Sequence, residues 1–208
     1  MLVVGAGGLA AQIFEELEDL YTEDLVFWSE YPSRYAFIAD KFTVISTDEE
    51  VRNHFQRFGP QFLMGVGGVA TRKQLKERFL ALGGEAATFV SPNALVSKYV
   101  EVGQGAMIMG RVEVEAGAVI GADCLLNKTA NIGHGCVIGQ GCEISPGVIL
   151  TGDVQVGAYS FVATRAIVLP KVQIGTQAVI AAGSIVKKNV PDLAVVAGEF
   201  ATVKFYQK

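Results

Sequence analysis

From Ala94 to Asn189 the chain repeats every six residues without an insertion, and this period restricts the fold more than any other feature. In register the stretch runs ALVSKY, VEVGQG, AMIMGR, VEVEAG and onward to AVIAAG and SIVKKN, sixteen hexads in all. The third position is Val, Ile or Leu in every hexad, and the first is always Ala, Val, Cys or Ser. Neither an amphipathic helix nor an alternating strand keeps a period of six, because their side chains recur at about 3.6 and 2.0 residues. A solenoid of short strands and turns does keep it. One aliphatic residue per hexad then lies on an internal ladder, small residues sit where the turns crowd together, and each circuit covers its neighbour's apolar face. Gly103, Gly121, Gly133, Gly139, Gly157 and Gly175 are predicted to supply backbone angles that other residues avoid. The period by itself leaves open a purely structural rod or another kind of β-solenoid.

Residues 1 to about 88 show a different pattern, in which short apolar runs alternate with helical ones. Strands are predicted at Met1 to Val4, Leu25 to Trp28, Phe42 to Ile45, Phe62 to Val66 and near Thr88 to Val90. Helices are predicted over Leu9 to Leu20, around Glu49 to Phe58 and from about Ala70 to Leu82, with Tyr31 to Lys41 irregular. Such alternation indicates a small parallel sheet. The first strand leads into GAGGLA, Gly5 to Ala10, which satisfies G-x-G-x-x-[GA]. Glycines there let the backbone approach a phosphate and leave helix N–H groups free to bind it, and Glu30 stands near the end of the second strand, where an acid suits a ribose. A domain this short amounts to half a dinucleotide fold and suits a single nucleotide rather than NAD, while a tight turn without a ligand also fits the motif.

The chain has 208 residues, half of them apolar, and a net charge of −4, which provides no basic field for nucleic acid. Its lysines are scattered, so a membrane surface has no support, and no apolar run approaches the roughly 18 to 20 residues of a membrane span. The apolar opening lacks a basic leader and runs directly into Glu15, Glu16, Glu18 and Asp19, so a soluble cytoplasmic protein is expected. Cys124, Cys136 and Cys142 all occupy the first hexad position. Their spacing fits no zinc or redox motif; they read as small packing residues and agree with a reducing compartment. The chain has two histidines. His54 lies in the helical pattern VRNHFQRF and reads as a helix-packing residue, whereas His134 occupies a turn position, with Gly152 one circuit above it if hexads three apart stack. Imidazole has a pKa suited to general-base work on an amine or hydroxyl.

The hexads resemble the hexapeptide-repeat acyltransferases. The GAGG turn, VGGVATRKQL (Val66 to Leu75), VSPNALVS (Val90 to Ser97) and NKTANIGHGCVIG (Asn127 to Gly139) together are similar to the sugar acetyltransferases of the sialic-acid O-acetyltransferase and bacillosamine or perosamine N-acetyltransferase type. The resemblance covers nearly the whole chain. It implies a Rossmann-like domain over residues 1–90 that holds a nucleotide-linked sugar. A left-handed parallel β-helix over residues 91–208, with three hexads per turn, would then act as the acyltransferase.

By the same resemblance, His134 is the general base, Asn127 lies close to the acceptor, and acetyl-CoA is the co-substrate, attacked directly at its thioester. Glu143, Gly152, Thr164, Ala182, Lys187 and Lys188 fall along the cofactor groove, with Lys204 beyond them. Gly7, Gly8, Leu9, Glu30, Gly67 and Arg72 fall on the nucleotide-sugar site. The resemblance also implies a homotrimer with active sites between subunits, and a role in surface-polysaccharide or glycan assembly.

Three positions depart from the pattern. Leu9 replaces a histidine in the turn, Gly135 replaces the acid that follows the catalytic histidine, and Glu143 replaces a second histidine. Glu143 is the expected substitute source of a carboxylate for His134. The closing VAGEFATVK (Val196 to Lys204) also departs from the family's V-x-G-x-P-A-(K/R). The expected activity is N-acetylation of a nucleotide-linked amino sugar. O-acetylation of a sugar of the sialic-acid type, or a catalytically weakened nucleotide-sugar-binding relative, is the alternative.

Overall fold

Short apolar runs flanked by helical segments build the first unit, Met1–Thr88, of the computed structural model, which describes residues 1–17, 25–33, 35–199 and 201–206. Five strands, β1 (Leu2–Val4), β2 (Val26–Trp28), β3 (Thr43–Ile45), β4 (Gln61–Met64) and β5 (Glu85–Ala86), form one parallel sheet in the order β3-β2-β1-β4-β5. The central strand β1 is fully buried, as expected for a run covered on both faces.

The helices are α1 (Gly8–Leu17), α2 (Ala36–Ala39), α3 (Asp48–Phe58) and α4 (Val69–Ala81). The last three positions of the helix predicted to reach Leu20 lie outside the described residues, as does Arg34. Helix α3 starts at a capping box, in which the Thr47 hydroxyl accepts from the Glu50 N–H and the Glu50 carboxylate accepts from the Thr47 N–H. The segment predicted as irregular contains the single turn α2, held by buried Ile38 and by Phe37, whose ring lies 5.6 Å from those of Phe14 and Tyr35.

The second unit, Phe89–Lys208, is a hexapeptide-repeat fold made of three parallel sheets. Each hexad contributes a two-residue strand at its second and third positions, and each strand pairs in parallel with the strand 18 residues on, as Asn131↔Ile149 shows. Successive hexads visit the three sheets in rotation. The first sheet runs from Leu95–Val96 through Asn131–Ile132 and Ile149–Leu150 to Ile185–Val186, and the second from Glu101–Val102 to Gln173–Ile174. The third begins at Phe89–Val90, which pairs with Met107–Ile108. This corrects the assignment of Thr88 to Val90 to the α/β sheet, whose fifth strand is β5. TFVSPN (88–93) is itself a hexad in register, and Val90 takes the ladder position.

All three sheets turn their third-position residues into one core. Ile132 and Leu150 from the first, Ile120 and Ile138 from the second, and Ile108, Leu126 and Ile144 from the third are at most 1% exposed. First-position residues fill the spaces between them. Cys124, Cys136 and Cys142 are buried free thiols, and each Sγ–H donates to a carbonyl 15 residues on, at Gly139, Thr151 and Gly157, over 3.0–3.1 Å.

The turn glycines act differently from the expectation. The left-handed backbone occurs at the sixth hexad position, at Gly105, Gly117 and Gly135 but also at Arg111, Asp123, Thr129 and Asp153. Gly103, Gly121, Gly133, Gly139, Gly157 and Gly175 stand at the fourth position instead. A Cβ on Gly139 would lie 2.7 Å from the backbone nitrogen of Ala158, and one on Gly121 2.7 Å from that of Gln140. They are glycine because circuits pack backbone to backbone there, not because of φ.

At the end of the repeat the spacing shortens to 16 residues, with Ile174 bridging Val190 and Val179 pairing Val195. The strand Ala194–Ala197 then pairs antiparallel with Thr202–Tyr206, so the altered exit is a hairpin on the third sheet. Among the described residues, no helix is long and apolar enough to cross a membrane.

Candidate functional site

In the first unit the carboxyl ends of β1, β2 and β4 open into a crevice of about 280 Å³ lined by Gly5 to Leu9, Trp28, Ser29 and Gly65 to Gly67. Strand order reverses at β1, the place where ligands enter open α/β sheets. The glycines divide by cause. Gly5 has φ +111° and a Cβ there would lie 2.7 Å from the Gly65 carbonyl oxygen, so its glycine is structural. Gly7 has ordinary φ and, among the described residues, nothing within 4 Å of a Cβ, so neither strain nor packing by them demands glycine there. An exposed, uncrowded backbone at the start of α1, where the first amides have no intrahelical acceptor, suits the approach of an anion. Trp28 is 4% exposed, and among the described residues its buried Nε1 has no hydrogen-bond partner.

Two residues predicted for this site have other placements. Arg72 is 5% exposed, and its guanidinium donates to the carbonyls of Met64 and Val66 at 3.3 and 3.0 Å. It props the loop carrying Gly65 to Gly67 from beneath. Glu30 is bonded at 2.6 Å to Arg78, which also binds Asp48 and lies 5.0 Å over the Trp28 ring. Ser29 lines the crevice in its place. A larger concavity of about 680 Å³ lies along β3 and α3 and includes His54. That histidine is buried, 5.1 Å from the Phe58 ring, and burial followed by a nearby positive charge lowers its pKa; it packs the helix.

In the second unit His134 is exposed on the turn between the first and second sheets. Adding 18 leads to Gly152, and the imidazole occupies the space above that glycine: a Cβ on Gly152 would lie 2.5 Å from Cε1 and 2.6 Å from Nε2. The space a side chain at 152 would fill is therefore taken by the ring itself, which Gly152 admits. The turn is tied to both neighbouring circuits. The His134 main-chain N–H donates to Glu115 Oε2 at 2.8 Å, and the His134 main-chain carbonyl accepts from the Asp153 main-chain N–H at 2.9 Å. The carboxylate of Asp153 hangs over Gly135, where a Cβ would lie 2.5 Å from Oδ1. Burial pushes the Cys136 thiol up, and the negative charges of Asp153 and Glu115 push it the same way.

Lys187 and Lys188 are exposed on the same column of turns, Lys188 three circuits above His134. Asn127, Thr164 and Ala182 stand on another column, between the third and first sheets, with Thr164 and Ala182 exposed and in register. The first sheet separates the two columns, so one chain does not gather these residues around His134. Glu143 belongs to neither column. It is 8% exposed on the third-sheet strand Glu143–Ile144, which does not border the turn of His134. The carboxylates at that turn are Glu115 and Asp153, which lie outside the motif around His134. Adding 18 to Gly135 would have found Asp153.

Residues 108–200 match the family described as the GMPPB C-terminal domain. No curated protein matches the sequence. Solved structures do. A perosamine N-acetyltransferase from Caulobacter crescentus, in complex with CoA and GDP-perosamine, is 26% identical with a TM-score of 0.89, over 98% of this chain and 96% of that one. The acetyltransferase domain of PglB from Neisseria gonorrhoeae, in complex with acetyl coenzyme A, is 28% identical with a TM-score of 0.84, over 97% of each chain. WeeI from Acinetobacter baumannii, at 20% identity and a TM-score of 0.82, shares the fold. The structural neighbours at this level are bacterial sugar acetyltransferases of the hexapeptide-repeat kind.

Proposed function

We propose that this protein transfers acetyl from acetyl-CoA to the amine of a nucleotide-linked sugar, with His134 as general base. Its first unit is read as a Rossmann-like nucleotide domain and its second as a left-handed parallel β-helix. The observation that carries the reading is the exposed imidazole seated against Gly152 at a turn of the repeat. It is joined by two complexes of neighbours, one holding CoA with a GDP-amino sugar and one holding acetyl coenzyme A.

The sheet order of the first unit and the uncrowded backbone at Gly7 suit a nucleotide phosphate on the amides opening α1. Small exposed residues in register, Thr164 and Ala182, leave backbone groups accessible to a pantetheine chain, and Lys187 and Lys188 are placed to meet phosphates. Acetyl-CoA supplies the activated acyl group. The sugar nitrogen bonds to the acyl carbon as the carbon–sulfur bond breaks. His134 takes the proton lost from nitrogen and returns it to the departing sulfur, and turn amides are suited to hold the oxyanion.

His134 and the column of Asn127, Thr164 and Ala182 lie at opposite ends of the strand Asn131–Ile132. A complete site then needs the second column from another copy, which supports a homotrimer with intersubunit sites. A cytoplasmic setting follows from the substrates proposed.

Thiol release measured over a panel of GDP- and UDP-linked amino sugars and their hydroxyl counterparts tests the reading. Turnover confined to the amines, lost by about 10³-fold or more in His134→Ala with acetyl-CoA binding retained, is expected. Turnover confined to hydroxyls would move the assignment to O-acetylation. Failure to bind CoA would overturn it.

A further inference from the structure

We infer that the groove between α3 and the edge strand β3 is a second small-molecule site, which takes a planar ring carrying an anionic group, phosphate or carboxylate. It is formed by residues of the first unit and holds about 680 Å³, a volume suited to such a ligand. Its lining shares no residue with the crevice at the carboxyl ends of β1, β2 and β4, so its ligand is additional to the one proposed there.

The groove exists because β3 ends the sheet while α3 packs toward the middle of it. Val51 and Phe55 of α3 join the core, where the Phe55 ring lies 6.3 Å from that of Phe62 and 6.5 Å from that of Phe79. Glu50, Asn53, His54 and Arg57 follow the helical spacing of a neighbouring face and line the groove. Val26 and Ile45, at the border of the same core, supply its apolar lining.

His54 is 7% exposed, and among the described residues its buried Nε2 has no hydrogen-bond partner. Buried polar atoms are nearly always paired, and an unmet one is costly, so a polar atom of a ligand in the groove would relieve it. Burial holds the ring's pKa below 6.5; near neutral pH it is uncharged and offers a proton or a lone pair according to tautomer. Beside it the Phe58 ring is 57% exposed, 5.1 Å from the His54 ring and 4.9 Å from the Arg57 guanidinium. An apolar face of that kind suits a second ring. Lys41 and Arg57 are exposed, and neither is ion-paired among the described residues. The Glu50 carboxylate is already occupied by the Ser46 and Thr47 amides and the Thr47 hydroxyl. The charge left for a ligand is therefore positive.

The test needs no turnover, so failure of the acetyl-transfer reading leaves it intact. His134→Ala makes His54 the single histidine of the untagged full-length chain, and its ring protons then report on the groove by NMR. The probes are phenyl phosphate, benzoate, inorganic phosphate and the neutral benzamide. Phenyl phosphate or benzoate is expected to move the His54 signals saturably at millimolar concentration or below. Inorganic phosphate and benzamide should bind at least about tenfold more weakly, and the tighter of the two ring anions identifies the charged group.

Arg57→Gln and Phe58→Ser alter exposed side chains, so the fold should survive both. Each should raise the Kd of the ring anion about fivefold or more. His54 signals unmoved by either ring anion, or a Kd unchanged in either variant, would overturn the inference. So would inorganic phosphate or benzamide binding as tightly as the ring anions.

Discussion

Gly152→Ala separates the position of the histidine from the stability of the repeat. The backbone at 152 lies outside the left-handed region, so alanine is conformationally acceptable, and the atoms nearest its Cβ are those of the His134 ring, at 2.5 Å from Cε1 and 2.6 Å from Nε2. Ordinary contact requires roughly 3.5–4.0 Å, so the ring must retreat by about 1 Å. It is exposed and free to swing, so the stability cost is that of a poorer rotamer, about 1 kcal/mol, or a Tm loss of roughly 2–4 °C in a chain of this length. The catalytic cost is larger. Misplacing a reacting group by about 1 Å costs on the order of 10²-fold, equivalent to about 2.7 kcal/mol of transition-state stabilisation. The assay is thiol release under saturating acetyl-CoA beside a thermal melt of the same preparation. A kcat down about 100-fold in a protein melting within a few degrees of the parent is expected. Undiminished turnover would show that the ring's seat on Gly152 is not the working position of the base.

Gly139→Ala should show the opposite balance. Its Cβ would meet backbone atoms of Ala158 at 2.7 and 2.9 Å, which cannot swing aside, so urea denaturation should register a loss of about 1–3 kcal/mol. Thr47→Ala removes the cap of α3 and should cost about 1 kcal/mol in the same experiment. Amide donors at Ser46 and Thr47 hold the Glu50 carboxylate below its ordinary value near 4.5, so its stabilising effect is present above that value and is lost as pH falls through the depressed one. Glu50→Gln should therefore flatten the acid limb of the urea midpoint. Burial depresses the His54 pKa below 6.5, so the folded chain resists protonation there and loses stability as pH falls from about 6.5 towards the lowered value; His54→Gln should weaken that dependence. The buried thiols Cys124, Cys136 and Cys142 should resist a thiol reagent in the native protein and react together on unfolding.

The repeat was readable because one pairing rule recurs: a residue and its neighbour 18 positions on share a ladder, so Ile132 implies Leu150 and His134 implies Gly152. The same rule extends to Val90, which pairs with the strand 18 residues on, and to Asp153, which stands over Gly135 from outside the local motif around His134. The cause of the turn glycines is not legible in the sequence for a physical reason. Period six marks where circuits crowd, but sequence alone does not separate a need for small size from a need for positive φ, and Arg111 and Asp153 at left-handed positions show the second need is met without glycine. In the first unit, strands were legible from apolar runs. The engagement of Glu30 by Arg78, 48 residues away, and of Arg72 by the carbonyls of its own loop was not, because neither follows a local period.

The constant 18-residue reach of the strand pairs has a kinetic consequence. Each added circuit closes a loop of the same length, and its contacts are made chiefly with the circuit laid down before it, so growth proceeds as a zipper rather than as a global collapse. Nucleation can begin at any pair of circuits. Damage in the middle, as at Gly139, then divides the repeat into two stacks that keep most of their contacts. Such a chain melts in stages, and a single unfolding midpoint describes its weakest junction rather than the whole molecule.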